Sequence, residues 1–140
     1  MSTEDNKKDK LVREPMPYGN VLIVDDIDVN IEITKVLLQP YELNIDEAES
    51  GFDAITLLES GNEYDIIFMD HMMPKMDGLE TTNKIREMGY TLPIVALTAN
   101  PLAGQAELFM ENGFDDYISK PVDIRHLDNI LCRYIRDKNK

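Results

Sequence analysis

Three aspartates follow two strongly apolar stretches of this chain. Asp25 and Asp26 come directly after residues 20–24, NVLIV, and Asp70 comes directly after residues 65–69, DIIFM. A carboxylate at the edge of a buried stretch is costly to desolvate unless a group of opposite charge compensates it. The rest of the sequence must therefore supply a partner for these acids.

A hydroxyl and an ammonium group end two later stretches. Thr98 follows residues 92–97, LPIVAL, and Lys120 follows residues 116–119, DYIS. In open α/β sheets, ligands bind outside the carboxyl ends of the strands, where all these groups should converge. Close carboxylates repel one another, and a divalent cation removes that conflict. Because no histidine or cysteine belongs to the cluster, Mg²⁺ is favoured over zinc.

The same groups are suited to phosphoryl transfer onto a carboxylate. An ionised Asp70 can act as the nucleophile. The metal and Lys120 would neutralise charge on the phosphoryl oxygens, and Thr98 could donate a hydrogen bond to one of them. Each residue alone also fits a plain structural role, such as acids at a helix N-terminus or a solvated lysine. Their common position at strand ends favours the chemical interpretation.

The chain from Asn20 onward alternates between apolar stretches and helical patterns. Stretches without alternating polarity indicate strands buried on both faces, as in a parallel sheet covered by helices. We therefore predict a doubly wound α/β domain of five strand–helix units. The predicted strands are residues 20–24, 43–48, 65–69, 92–97 and 116–119; the predicted helices are residues 29–38 with apolar positions Ile33, Val36 and Leu37, 52–60, 79–88, a helix begun by Asn100-Pro101 and closed by Gly113, and a helix capped by Asp123 with Leu127, Ile130, Leu131 and Tyr134 on one face.

Composition narrows the class of protein. The 140 residues suit one domain, and a net charge of −13 argues against binding to nucleic acid or anionic membrane. The single cysteine, Cys132, excludes an internal disulfide and suits a reducing cytoplasm, and no apolar run approaches the roughly 20 residues of a membrane helix. We expect residues 1–18, with Pro15 and Pro17, to be a flexible leader or interdomain linker before a domain at 19–140.

The sequence resembles the receiver domains of two-component signalling over about residues 19–136. The matching segments are VLIVDD (21–26), MDHMMPKMDG (69–78), ALTAN (96–100) and GFDDYISKP (113–121). The resemblance implies a flavodoxin-like, five-stranded parallel sheet in the order 2-1-3-4-5 with five helices.

The resemblance also implies a role for each acid. Asp70 would be the phosphoacceptor that forms an aspartyl phosphate. Asp25, Asp26 and Asp70 would hold Mg²⁺ together with the backbone carbonyl of Met72.

Further roles follow from the same resemblance at the last two strands. Thr98 would be the switch hydroxyl, and Lys120 would pair with the phosphoryl group. Tyr117 would be the switch aromatic that turns inward when Thr98 moves, and Lys120-Pro121 would be a cis peptide.

The motifs DDIDVN, MDG and ALTAN look most like the receivers of hybrid histidine kinases. The implied partners are a histidine kinase or histidine phosphotransfer domain as donor and a downstream protein target, without direct nucleic-acid or membrane contact. A free-standing single-domain response regulator is the alternative. Such a chain catalyses only its own phosphorylation and dephosphorylation. His71 and Met72 depart from the family pattern, and an apolar Met72 predicts a longer-lived phosphorylated state.

Three other functions are less consistent with the residues. Haloacid-dehalogenase-type phosphatases usually carry an acid two positions after the nucleophile, where this chain has Met72. An FMN-binding module needs phosphate-binding donors after strand 1, where this chain has the acidic residues 25–28. A scaffold without phosphorylation has no need for mutually repelling acids.

Overall fold

A five-stranded parallel sheet forms the centre of the protein. The structure, a computed structural model, describes residues 12–99 and 105–139. The strand order is β2-β1-β3-β4-β5, which confirms the predicted doubly wound topology. The strands are β1 Asn20–Val24, β2 Asn44–Ala48, β3 Ile66–Asp70, β4 Ile94–Thr98 and β5 Asp116–Ser119.

Five α-helices lie between and after the strands in the described ranges. A short 3-10 turn, Gln39–Tyr41, follows the first helix, and the last helix continues into a π-helical segment, Cys132–Arg136, and a last 3-10 turn, Asp137–Asn139. The predicted helix start at Asn100-Pro101 lies outside the described residues. The helices are α1 Asp28–Leu38, α2 Gly51–Glu59, α3 Gly78–Glu87, α4 Gln105–Glu111 and α5 Ile124–Leu131.

Side-chain caps start three of the helices. Ser50 accepts a hydrogen bond from the Asp53 N–H, Asp77 accepts one from Glu80, and the predicted cap Asp123 accepts one from Arg125. Each cap satisfies a backbone donor that has no partner within its helix. The sequence thus fixes where each helix starts relative to the strand before it.

Alternate residues of the strands build a core on each face of the sheet. Ile66 and Phe68 of β3 pack on the side that includes α1 and α5, and Ile67 and Met69 pack on the opposite side with α2 and α3. Since both faces are covered, the central strands carry continuous apolar runs. This burial makes the strand ends a rigid platform for polar groups.

Two of the three apolar positions predicted for α1 lie outside its buried face, while the third, Leu37, is half-buried against the core. Ile33 is 54% exposed and Val36 is 65% exposed, while Ile31, Thr34 and Leu38 face the core. Residues 31, 34 and 38 are spaced three and four apart, which places them on one side of a helix. The apolar pattern identified the helix, but its outer side also carries apolar residues.

The described part of the predicted linker packs on the domain. Met16 is fully buried, and its N–H donates to the Tyr41 carbonyl at 2.6 Å. The Arg13 guanidinium donates to the Leu37 carbonyl and lies over the Tyr41 ring, 5.0 Å from its centroid. A linker role for residues 1–18 stays a prediction, since residues 1–11 lie outside the described part.

Candidate functional site

The parallel strand order brings the predicted site residues to one edge of the sheet. Asp70 ends β3 and pairs in register with Leu97 of β4, and Thr98 pairs with Ser119 of β5. Asp25 follows β1, the other neighbour of β3. The convergence predicted from the sequence is therefore a direct result of this topology.

Three carboxylates form the centre of this edge. One carboxylate oxygen from each of Asp25, Asp26 and Asp70 lies within 4.8 Å of the other two. Asp25 is 1% exposed and Asp70 is 7% exposed. Ionised acids at this separation and burial repel one another strongly.

Hydrogen bonds satisfy only part of this cluster. Asp25 Oδ1 accepts the Ile27 N–H at 3.0 Å. Asp25 Oδ2 and Asp26 Oδ1 are buried without a hydrogen-bond partner among the described residues. Buried polar atoms are normally paired, so these oxygens are available to a further ligand.

The Lys120 ammonium group lies between two of the acids. Lys120 Nζ is 3.5 Å from Asp70 Oδ1 and 3.7 Å from Asp25 Oδ2. Both distances are at or beyond the long end of the hydrogen-bond range, so Lys120 offsets the negative charge through space without saturating either carboxylate.

Burial dominates the ionisation of Asp70. It raises the pKa of the Asp70 carboxyl to about 6, and the charge of Asp25 acts in the same direction. Lys120 opposes this increase in pKa, and Asp26 adds a smaller contribution that raises it. A cation bound to the three acids would remove this penalty on the ionised form.

The donor set fits a hard divalent cation. Three carboxylates, two of them with unpartnered buried oxygens, provide only oxygen ligands. Mg²⁺ prefers oxygen ligands and binds through one or two carboxylates while keeping water molecules. Asp25, Asp26 and Asp70 are therefore the residues that could hold it.

The loop after β3 folds tightly back over Asp70. The Gly78 N–H donates to the His71 carbonyl at 3.0 Å, and the His71 N–H donates to the Leu97 carbonyl at 3.0 Å. A Cβ atom at Gly78 would lie 2.4 Å from the Asp70 carbonyl oxygen, so only glycine fits there. The MDG motif thus brings the start of α3 against the end of β3. Met72 lies in this loop with its side chain 73% exposed, and a ligand role for its carbonyl stays a prediction.

The other side of the site is formed by β4 and the end of β5. The Lys120 N–H donates to the Thr98 carbonyl at 2.8 Å, and Lys120-Pro121 is a cis peptide, as the resemblance implied. Tyr117 of β5 is half-buried, with its ring centroid 6.1 Å from that of Phe109. Phe109 could not be selected from the sequence, because one phenylalanine on a short helix is an ordinary core residue.

The chain belongs to the response regulator receiver domain family, whose model matches residues 21–131. The flavodoxin-like fold, the strand order and the acidic cluster agree with this membership.

Related proteins place this family in two-component signalling. The chain is 41% identical over 122 residues to "Two-component system protein A" of Emericella nidulans and 38% identical over 128 residues to "Hybrid signal transduction histidine kinase L" of Dictyostelium discoideum. Each match covers 86% of this chain but only 17% and 8% of those relatives.

A solved receiver domain is similar in structure. The receiver domain of sensor histidine kinase PA1611 from Pseudomonas aeruginosa PAO1 has a TM-score of 0.74 and 35% identity, over 84% of this chain and 98% of that one. That structure carries a magnesium ion in its active-site cleft.

Proposed function

We propose that Asp70 accepts a phosphoryl group from a phosphohistidine donor in a Mg²⁺-dependent reaction. The observation that carries this proposal is the cluster of Asp25, Asp26 and Asp70 with the Lys120 ammonium between two of its carboxylates. Such a cluster is costly for a fold and has no structural benefit of its own.

The chemistry follows from the positions of these side chains. An ionised Asp70 oxygen attacks phosphorus, the new O–P bond forms, and the N–P bond to the donor histidine breaks with its electron pair returning to nitrogen. Mg²⁺ held by the acids would neutralise charge on the transferring group. Lys120 pairs with one phosphoryl oxygen, and Thr98 donates its hydroxyl to another.

The outer side of α1 supports a protein as the donor. Val29, Ile33 and Val36 are exposed there, and we call these residues the α1 surface. Ile33 also lines a groove that continues to Lys120 and so reaches the site. Contiguous exposed apolar residues mark interaction surfaces. A histidine kinase or a histidine phosphotransfer domain docked here would place its phosphohistidine near Asp70.

The output of the switch would be a protein-binding surface on α4, β5 and α5. Phosphorylation replaces the single negative charge of an ionised Asp70 with a phosphoryl group that carries up to two, and it adds several acceptor oxygens. We infer that Thr98 moves toward it and that Tyr117 then turns inward, which shifts α4 between two arrangements. The similarity to hybrid kinases favours a chain that is part of such a kinase, with a free-standing regulator as the alternative.

An intact-mass experiment tests the phosphoacceptor. The protein is incubated with acetyl phosphate and Mg²⁺, and we expect one added phosphoryl group. Asp70→Asn and a magnesium-free sample should show none. Asp53→Asn, which removes an exposed acid outside the cluster, should be labelled like the wild type.

Three results would contradict the proposal. Equal labelling of Asp70→Asn would show that another residue is the acceptor. No adduct, in a sample where Mg²⁺ binding is measured by calorimetry, would instead support a scaffold whose acids only bind metal. Steady release of phosphate from a phosphate ester would favour the phosphatase alternative.

A further inference from the structure

His71 packs its ring edge-on against Phe109 of α4. The ring centroids are 5.0 Å apart and the ring planes meet at 85°. Aromatic rings prefer this edge-to-face geometry. Backbone hydrogen bonds hold His71 on both sides, from its N–H to Leu97 and from Gly78 to its carbonyl. The His71 backbone, next to Asp70 in the chain, is therefore held in place, and its ring lies against Phe109.

Phe109 attaches α4 to the rest of the domain. Among the α4 side chains described at positions 107–111, Phe109 alone is buried. Its ring also contacts Phe114 at 5.4 Å and Tyr117 at 6.1 Å between centroids. A continuous row of rings thus runs from His71, next to the site, through Phe109 to Tyr117.

We propose that His71 is a positioning residue whose ring holds Phe109, and through it α4 and Tyr117, in the arrangement of the unphosphorylated site. This inference rests on the proposed function and deepens it by naming a second route from Asp70 to α4, separate from Thr98. A phosphoryl group on Asp70 changes the charge beside the His71 backbone. The His71 backbone is hydrogen-bonded to both β4 and Gly78. A shift of the loop after β3 therefore moves the His71 ring that contacts Phe109.

The size of this effect follows from the contact itself. An edge-to-face pair stabilises a packed arrangement beyond the area it buries. Losing one of the three ring contacts to Phe109 should shift the balance between two α4 arrangements about fivefold. His71→Phe keeps an aromatic ring at the same place and should preserve the balance.

Amide exchange and NMR on the full chain test this role. The samples are wild type, His71→Ala, His71→Phe and His126→Ala, where His126 is a matched histidine on α5, outside this row of rings. We expect His71→Ala to speed exchange of the α4 amides about fivefold and to move the Tyr117 ring signals toward those of acetyl phosphate-treated wild type. His71→Phe and His126→Ala should match the wild type in both measurements.

Other outcomes would overturn the role. Unchanged α4 exchange and Tyr117 signals in His71→Ala would do so, as would faster exchange spread equally over all helices, which indicates a general loss of stability. Intact masses of the same samples separate the two proposals. A wild type that takes up no phosphoryl group contradicts the proposed function, while the untreated samples still decide whether His71 holds α4.

Discussion

Carboxylates at the two ends of the sheet have opposite surroundings. At the amino end, Asp115 Oδ2 accepts from the Arg86 guanidinium at 2.8 Å and from the Ile94 N–H at 2.9 Å. At the carboxyl end, Asp25 and Asp70 share one lysine at 3.5 to 3.7 Å. The Asp115 carboxylate thus has a close cation and hydrogen-bond donors, and we call its end of the sheet the satisfied end. The carboxylates of Asp25 and Asp70 have too little positive charge beside them, and we call their end the unsatisfied end. Unmet charge in a buried cluster, more than the presence of aspartate, indicates a ligand site.

We expect the largest change in stability from removing Arg86 at the satisfied end of the sheet. The Arg86 side chain also donates to the carbonyls of Gly113, Tyr90 and Leu92, which ties the end of α3 to the start of β5. Arg86→Ala would leave these acceptors without their donor, and we expect the free energy of unfolding to fall by about 3 kcal/mol. Urea unfolding measures this loss.

A neighbouring cation provides the control for Arg86. Lys84 lies exposed on the same helix, and Lys84→Ala should change the free energy of unfolding by less than about 0.5 kcal/mol. The Arg86→Ala protein that remains folded should still be labelled by acetyl phosphate. Loss of labelling without loss of stability would show that Arg86 acts on the phosphoryl site. The two ends of the sheet would then not be independent.

At the unsatisfied end, removing a charge should stabilise the protein. The folded pKa of Asp70, about 6, lies above the usual value near 3.9 of an unfolded chain. The folded state then holds its proton more tightly, so the free energy of unfolding falls as pH rises from about 4 to about 6 and stays low above that range. The two pKa values differ by about 2 units, each worth about 1.4 kcal/mol, so Asp70→Asn should be more stable than wild type by roughly 2 to 3 kcal/mol at pH 7 without metal.

Thermal unfolding across pH tests the sign of this effect. The advantage of Asp70→Asn should disappear below about pH 4, where the wild-type carboxyl is protonated in both states. Saturating Mg²⁺ should stabilise the wild type more than the variant, because the ion binds the folded acids. An Asp70→Asn protein that is less stable than the wild type at pH 7 would show that the ionised Asp70 carboxylate does not destabilise the folded state.

The sequence predicted the two ends unequally well. Apolar runs ending in Asp25 and Asp70 predicted two strands together with their acids, because a parallel sheet places the carboxyl ends of its strands on one edge. The alternation of strands and helices predicted the doubly wound class, and the strand order was implied by the family resemblance. Arg86 could not be recognised, since its partners are backbone carbonyls and an acid that is 29 positions away in the sequence. The pattern of α1 likewise revealed a helix but not which side of it is buried. Contacts between distant segments, such as His71 with Phe109, depend on packing that local patterns do not encode.

A third prediction concerns how the donor reaches the unsatisfied end. Val36→Glu puts a charge on the α1 surface, outside the acidic cluster. We expect phosphoryl transfer from a phosphorylated histidine phosphotransfer domain to slow about tenfold, because apolar contact with the donor is lost. Labelling by acetyl phosphate, which needs no docking, should not change.

The matched control for the α1 surface is an exposed apolar residue at the amino end. Met88 follows α3, and Met88→Glu should leave both reactions as they are in the wild type. If Val36→Glu slowed the small donor and the protein donor equally, the substitution would have disturbed the site itself. Equal transfer by Val36→Glu and wild type would rule out this surface as the docking site.

The smallest expected effect is on the lifetime of the phosphorylated state. Met72 is exposed in the loop beside Asp70, and its thioether side chain is too weak a hydrogen-bond acceptor to orient an attacking water. Met72→Asn introduces an amide that can hydrogen-bond water there, so we expect hydrolysis to become a few-fold faster. The decay of the phosphorylated mass after removal of acetyl phosphate measures the rate of hydrolysis. Met88→Asn, which changes an exposed methionine at the opposite end of the sheet, is the control and should decay like the wild type. A wild-type half-life of seconds that Met72→Asn does not shorten would show that Met72 has no influence on hydrolysis. A shorter lifetime for Met72→Asn alone would establish that side chains at the unsatisfied end, even exposed ones, act on the chemistry of Asp70.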